Sequence, residues 1–261
     1  TRDIYQTSGY IILIDGTAGT VFNNIRISNC YLYGYYRTQT LPEFGYAIYA
    51  TDTGVTILNC EIKVVNAEYF SDMLQGIRFV SGATQEGATY SYIYNSKIIC
   101  NGIMDNWEDV YRASGLYCSA SSSATGVMYV YVYNTYIEGT NSGGYSNGSA
   151  IYISSATASK LVGGLYNCVV NGSVNDWWQT SKTINSPAYD CVLVNNTATN
   201  APSKGTNFVD IIRTDTWLAN NDTSSLIRYN TGLDKWQFTN DASTYYSFME
   251  GVSGTAGYMT K

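Results

Sequence analysis

The sequence predicts an all-β fold, a right-handed parallel β-helix of about six coils over residues 1–203 followed by a small β-rich segment over residues 204–261. Three observations carry this expectation. A short phrase recurs along most of the chain at uneven intervals, a second phrase follows its copies at a nearly steady distance, and the composition suits a pleated, turn-rich structure. Of the 261 residues, 26 are Tyr and 24 are Gly, while charged residues make up 13%, about half the usual share. With three prolines and 45% hydrophobic residues, the chain is unlike a disordered one.

The first phrase is apolar-x-apolar-x-Asn-(Cys/Ser/Thr)-x-apolar. It reads Ile25-Arg-Ile-Ser-Asn29-Cys30-Tyr-Leu32, Val55-Thr-Ile-Leu-Asn59-Cys60-Glu-Ile62, Ser91-Tyr-Ile-Tyr-Asn95-Ser96-Lys-Ile98 and Val130-Tyr-Val-Tyr-Asn134-Thr135-Tyr-Ile137. Two weaker copies follow, Gly163-Gly-Leu-Tyr-Asn167-Cys168-Val-Val170 and Ser186-Pro-Ala-Tyr-Asp190-Cys191-Val-Leu193. Intervals of 30, 36, 39, 33 and 23 residues between the Asn/Asp positions fit a fixed rung carrying loops of different length.

The second phrase comes 14 to 18 residues after the first, as Gly45-Tyr-Ala-Ile48-Tyr49, Gly76-Ile77-Arg-Phe79-Val80, Gly115-Leu116-Tyr-Cys118 and Ser149-Ala-Ile151-Tyr-Ile153. Each period thus holds at least two short strands of period-2 alternation and no helical stretch of ten residues. A leucine-rich repeat needs a leucine framework and a steadier period, and a propeller needs four strands and hairpin turns per unit. A coil of parallel strands remains.

With Asn as the bend, alternation sends Ile25 and Ile27, Val55 and Ile57, and Val130 and Val132 inward, together with Cys30, Leu32, Cys60 and Ile62 just after it. Coils stack about 4.8 Å apart, so the Asn column can form a ladder of side-chain amides, a structural role. Cys30, Cys60, Cys168 and Cys191 share a column with Ser96 and Thr135, which reads as small buried residues and not as a disulfide framework. Cys100 and Cys118 fall outside that column, and a bridge between them stays open. With no CxxC spacing, no metal site is expected, and no cofactor.

Outward positions before the bend become tyrosine in the later coils, as Tyr92 and Tyr94, Tyr131 and Tyr133, Tyr166 and Tyr189, with Tyr136 and Tyr152 adding to the outer surface. Such a surface suits strand packing, a subunit interface or a sugar-binding face. Two loops hold further candidates. Asn101–Arg112 combines Asp105, Glu108 and Asp109 with Trp107 and Tyr111, and the 175–179 stretch carries Trp177 and Trp178. Carboxylates beside aromatic rings suit carbohydrate contact, and a glycosidase would need two of them about 5 to 10 Å apart across a cleft. The Trp pair could instead cover the open end of the coil.

The excluded classes are informative. The formal charge is −6 with no Lys/Arg cluster, which argues against a nucleic-acid partner. The longest apolar run near the start, Ile11 to Ile14, is far too short for membrane insertion by a helix. Without a histidine there is no His-dependent triad in this chain, so any chemistry would run on Asp, Glu, Lys, Arg or Tyr. The chain starts at Thr1 and is expected to be a piece of something longer.

Beyond about Lys204 the repeat stops. Leu226-Ile-Arg-Tyr229-Asn230-Thr-Gly-Leu-Asp-Lys-Trp236-Gln-Phe238 reads as two strands around an Asn-Thr-Gly turn, and a third follows near Tyr245-Tyr-Ser-Phe248. This segment resembles the short β repeats near the ends of bacteriophage tail fibres and tailspikes, and the coil region resembles the parallel β-helix of the pectate lyase and tailspike superfamily. No lyase or hydrolase signature of that superfamily is recognisable.

The resemblance implies a homotrimeric virion tail component, extracellular, that recognises a host cell-surface polysaccharide. It also implies that other virion tail proteins are joined through a region preceding Thr1, and that the C-terminal segment trimerises or caps the shaft. Sugar contacts would fall to Trp107, Tyr111, Trp177, Trp178, Tyr94 and Tyr133. Asp105, Glu108 and Asp109 would be polar partners or, in the rival reading of a polysaccharide depolymerase, catalytic groups. A structural or adhesive extracellular surface protein is the second rival.

Overall fold

The structure, a computed structural model, describes residues 4–6, 9–16, 21–36, 44–66, 73–82, 85–103, 113–142, 148–155, 160–179, 188–189, 191–194, 198–199, 209–210, 216–219, 222–230, 235–239 and 246–247. For 4–6, 44, 155, 177–179, 188–189, 192–193 and the strands beyond 194, the backbone alone is described. Each first phrase folds as two strands, one on either side of its Asn, and each second phrase as a third. The chain therefore builds three parallel sheets of a β-solenoid.

Sheet I collects the second phrases in β5 (Phe44–Thr51), β8 (Met73–Ser81), β11 (Ala113–Ala120) and β14 (Gly148–Ser155), and β2 (Gly9–Asp15) on one side and β17 (Asn175–Gln179) and β20 (Ala198–Thr199) on the other extend it. Sheet II holds the strands before the bend: β3 (Phe22–Ser28), β6 (Thr53–Leu58), β9 (Thr89–Tyr94), β12 (Met128–Tyr133), β15 (Leu161–Tyr166) and β18 (Ala188–Tyr189). Sheet III holds those after it: β4 (Tyr31–Tyr36), β7 (Glu61–Asn66), β10 (Lys97–Gly102), β13 (Tyr136–Asn141), β16 (Val169–Gly172), β19 (Val192–Leu193) and β21 (Val209–Asp210), with β1 (Ile4–Gln6) at its edge. The regular stack amounts to about four turns, fewer than the six expected. The weaker repeats account for the difference, because β18 and β19 shrink to two residues each.

The files of the core run as the alternation requires. Ile48, Ile77, Leu116 and Ile151 lie one above another in sheet I. Ile57, Ile93, Val132 and Leu165 do so in sheet II, and Leu32, Ile62, Ile98, Ile137 and Val170 in sheet III. From Ile48 onward these residues are buried, whereas Ile25, Ile27, Cys30 and Leu32 are half-buried and pack against the cluster from the edge coil.

The bend itself has a sharper cause than alternation. Asn29, Asn59, Asn95, Asn134 and Asn167 all adopt positive φ, between 47 and 54°. This left-handed region is costly for most L-residues and is tolerated by Asn. Each amide then donates to the one below: Asn59 Nδ2 to Asn29 Oδ1 at 3.2 Å, Asn95 to Asn59 at 3.4 Å, Asn134 to Asn95 at 3.1 Å and Asn167 to Asn134 at 2.9 Å. The expected sixth member, Asp190, lies outside the described residues.

The adjoining column is a second ladder. Ser96 Oγ donates to the Tyr94 carbonyl at 2.7 Å and accepts from the Cys60 amide at 3.1 Å, and Thr135 repeats the pattern toward Tyr133 and Ser96. Cys30, Cys60 and Cys168 point their thiols at the same carbonyl two residues back. All six cysteines are free thiols, including Cys100 and Cys118, whose burial pushes their pKa well up.

Within the 204–261 segment, β22 (Thr216–Ala219), β23 (Asp222–Asn230), β24 (Lys235–Thr239) and β25 (Tyr246–Ser247) form a separate antiparallel sheet. Tyr229 pairs with Trp236 and Ile227 with Phe238, as the Leu-x-x-Tyr and Trp-x-Phe phrases anticipate. The expected Asn-Thr-Gly turn continues from Asn230, the end of β23, into residues 231–234, which lie outside the described residues.

Candidate ligand-binding face

One side-chain column on the outer face of sheet I gathers groups suited to a ligand. Parallel register places Leu13, Tyr49, Arg78, Tyr117, Tyr152 and Trp178 in a single file. Tyr49, Arg78, Tyr117 and Tyr152 each follow the inward Ile or Leu of their phrase, so alternation turns this part of the file outward. Tyr117 and Tyr152 stack with centroids 5.0 Å apart. Below them the Arg78 guanidinium carbon lies 4.6 Å from the Tyr117 centroid and 5.6 Å from that of Tyr49, so the cation is inserted into the aromatic stack. Tyr46, one short step along β5, also lies 5.2 Å from Arg78, and Tyr10 stacks on Tyr46 at 5.6 Å.

Ring orientation decides what the file offers. Rings stacked along the coil axis cover one another's faces and present their edges and hydroxyls outward. A phenol hydroxyl both donates and accepts, and a ring edge carries the positive end of the quadrupole.

The candidates named from sequence are distributed unevenly around this file. Trp177 and Trp178 lie in β17, paired with Ile151 and Tyr152, so that Trp178 takes the next register position of the same file. Asp105, Trp107, Glu108, Asp109 and Tyr111 lie outside the described residues. Their segment leads from β10 directly into β11, the strand that carries Tyr117. Tyr94 and Tyr133 belong instead to sheet II.

On sheet II, β9 and β12 set three pairs of tyrosines side by side. Centroids are 4.9 Å apart for Tyr90–Tyr129, 5.9 Å for Tyr92–Tyr131 and 5.0 Å for Tyr94–Tyr133, and Tyr166 continues the last pair at 4.7 Å. Tyr133 thus has a ring on either side, and only its edge and hydroxyl remain for a ligand. Burial first, and the neighbouring phenols second, raise the pKa of Tyr94, Tyr131 and Tyr133.

Several described carboxylates are tied into the scaffold. Asp52 Oδ1 accepts from the Gly82 amide at 2.6 Å, Asp176 Oδ1 from the Gly172 amide at 2.7 Å, and Glu138 Oε2 from the Tyr136 hydroxyl. Among the described residues no three His, Cys, Asp or Glu side chains gather as they would around a metal ion.

Arg78, Tyr46, Tyr49 and Tyr117 were not among the candidates named from sequence, although the signal was present. Aligning Ile48-Tyr49, Ile77-Arg78, Leu116-Tyr117 and Ile151-Tyr152 yields the column directly. Compared with known proteins, the chain matches no family model, no curated protein and no solved structure.

Proposed function

We propose that the chain recognises a cell-surface polysaccharide along the outer face of sheet I, as the host-binding part of a homotrimeric, extracellular virion tail component. The observation that carries the carbohydrate reading is the outward file Tyr49–Arg78–Tyr117–Tyr152, with Trp178 on the following rung. A rigid stack of rungs repeating about every 4.8 Å offers a row of evenly spaced hydroxyls and ring edges to an extended chain of sugars. Trp107 and Tyr111, from the segment entering β11, would widen that surface, with Asp105, Glu108 and Asp109 as hydrogen-bonding partners, whereas Trp177 takes the register position above the buried Ile151 and is the weaker candidate. The virion and trimer parts of the reading rest on the resemblance of the coil and C-terminal phrases to tail fibres and tailspikes.

A glycan array probed with the purified chain tests the carbohydrate reading. Retention of one or a few surface polysaccharides is expected, weakened about tenfold or more by Tyr117→Ala. Absence of binding to any glycan overturns it. Release of new reducing ends from a retained polymer, lost in Glu108→Gln with binding intact, would replace recognition by depolymerisation. A solution mass three times the 28.7 kDa of the chain is expected, and a monomeric mass would remove the trimer.

A further inference from the structure

Resting on the carbohydrate reading, we propose that Arg78 makes the sheet I face selective for acidic polysaccharide, its guanidinium taking the carboxylate of a uronic- or sialic-acid-type sugar. Every acceptor that Arg78 has among the described residues is neutral. Nη1 donates to the Tyr46 hydroxyl at 3.2 Å, to Gln75 Oε1 at 3.3 Å and to Met73 Sδ at 3.0 Å. Nε is buried and has no hydrogen-bond partner. No carboxylate pairs with Arg78 among the described residues, in a chain with 20 acidic and 14 basic side chains.

A partly desolvated cation without a counter-charge is costly, and ring faces offset only part of that cost. A bound carboxylate would supply the missing charge. Nη2 carries none of these contacts, which leaves the outer side of the fork for a ligand. The surroundings favour the same sign, because rings stacked above and below the guanidinium turn their positive edges to the solvent. The planar fork matches a planar carboxylate, and Tyr46 and Gln75 hold it in place beside the flanking rings. Tyr49 and Tyr117, one rung to either side, would contact the sugars next to the acidic one.

The test uses the whole chain on immobilised polygalacturonate, alginate, hyaluronan and polysialate. Each is paired with its carboxyl-reduced, neutral counterpart, and dextran sulfate and polyphosphate serve as other polyanions. At least one acidic polymer is expected to bind about tenfold or more tighter than its reduced form. Arg78→Gln should erase that preference, and Arg78→Lys, which keeps the charge without the fork, should lose most of it. Circular dichroism and retained binding to reduced polymer establish that each variant is folded. If Arg78→Gln does not fold, Arg78→Lys gives the reading.

Equal binding of acidic and reduced forms overturns selectivity, as does a preference that survives in the variant or one shown only for sulfate or phosphate polymers. Binding of reduced polymers alone sinks the inference and leaves the carbohydrate reading standing. Retention of none sinks both.

Discussion

At the scale of the residue, the bend asparagines do two separable jobs. Asn95 holds φ of 47° and sits mid-ladder, donating to Asn59 and accepting from Asn134. Asn95→Ala loses both amide bonds and keeps a Cβ in the left-handed region without the polar side chain that eases Asn there, for a cost of about 2–3 kcal/mol. Asn95→Gly loses the bonds but takes the backbone freely, for about 1 kcal/mol. Urea denaturation of the two variants would separate the terms, and equal losses would show that the backbone conformation costs nothing here. The ladder was legible in the sequence because an amide is the side chain that donates to the rung below and accepts from the rung above in an identical stack. The positive φ was not, since recurrence of Asn identifies a bend without giving its torsion. Arg78 was missed for another reason: a lone cation breaks an aromatic column in composition, yet continues it in geometry.

At the scale of the element, strand identity was legible wherever a coil kept its phrase, because buried files need apolar residues at every second position on every rung. The bend splits each first phrase between sheets II and III, and this explains why one apolar-patterned phrase contributes to two short strands instead of one. The segments between phrases carry no such constraint, so their shape could not be read, and the site residues placed on 101–112 share that fate. Close approach of backbone and side chains at particular strand positions adds a requirement that alternation does not reveal. A Cβ at Gly139 would fall 2.0 Å from the Ser149 carbonyl oxygen, whereas one at Gly164 would meet the Tyr166 ring at 3.0 Å. Gly139→Ala therefore has to push β13 away from β14 and is expected to cost about 3 kcal/mol or more, while a ring can turn aside for Gly164→Ala at about 1 kcal/mol or less. Melting temperatures of the pair check this, and a Gly139→Ala protein as stable as the parent would mean that β13 and β14 can part here without loss.

At the scale of the whole molecule, the phenols and thiols set how stability responds to pH. Burial raises the pKa of Tyr36, Cys100 and Cys118, and burial with neighbouring phenols raises those of Tyr94, Tyr131 and Tyr133. For Tyr136 burial comes first and its hydrogen bond to Glu138 second. A folded-state pKa above the unfolded one means that the unfolded chain gives up its proton first. The stabilising contribution is then complete below the unfolded value, about 8.5 for Cys and 10 for Tyr, and is lost as pH climbs through the folded value. Cys168 has the opposite sign, since its hydrogen bond with Cys191 lowers its pKa and adds stability as pH rises past the ordinary thiol range. One thiol is outweighed by two raised thiols and five raised phenols. The urea midpoint should therefore hold steady from pH 6 to about 8 and fall progressively above about 10, in step with tyrosinate absorbance at 295 nm. Replacing Tyr94, Tyr131 and Tyr133 together by Phe keeps most of the stacked area and removes three ionisations, so the alkaline fall should become shallower. A midpoint that stays level to pH 12, or a triple variant that falls as steeply as the parent, would mean that the sheet II tyrosines titrate alike in the folded and unfolded chain.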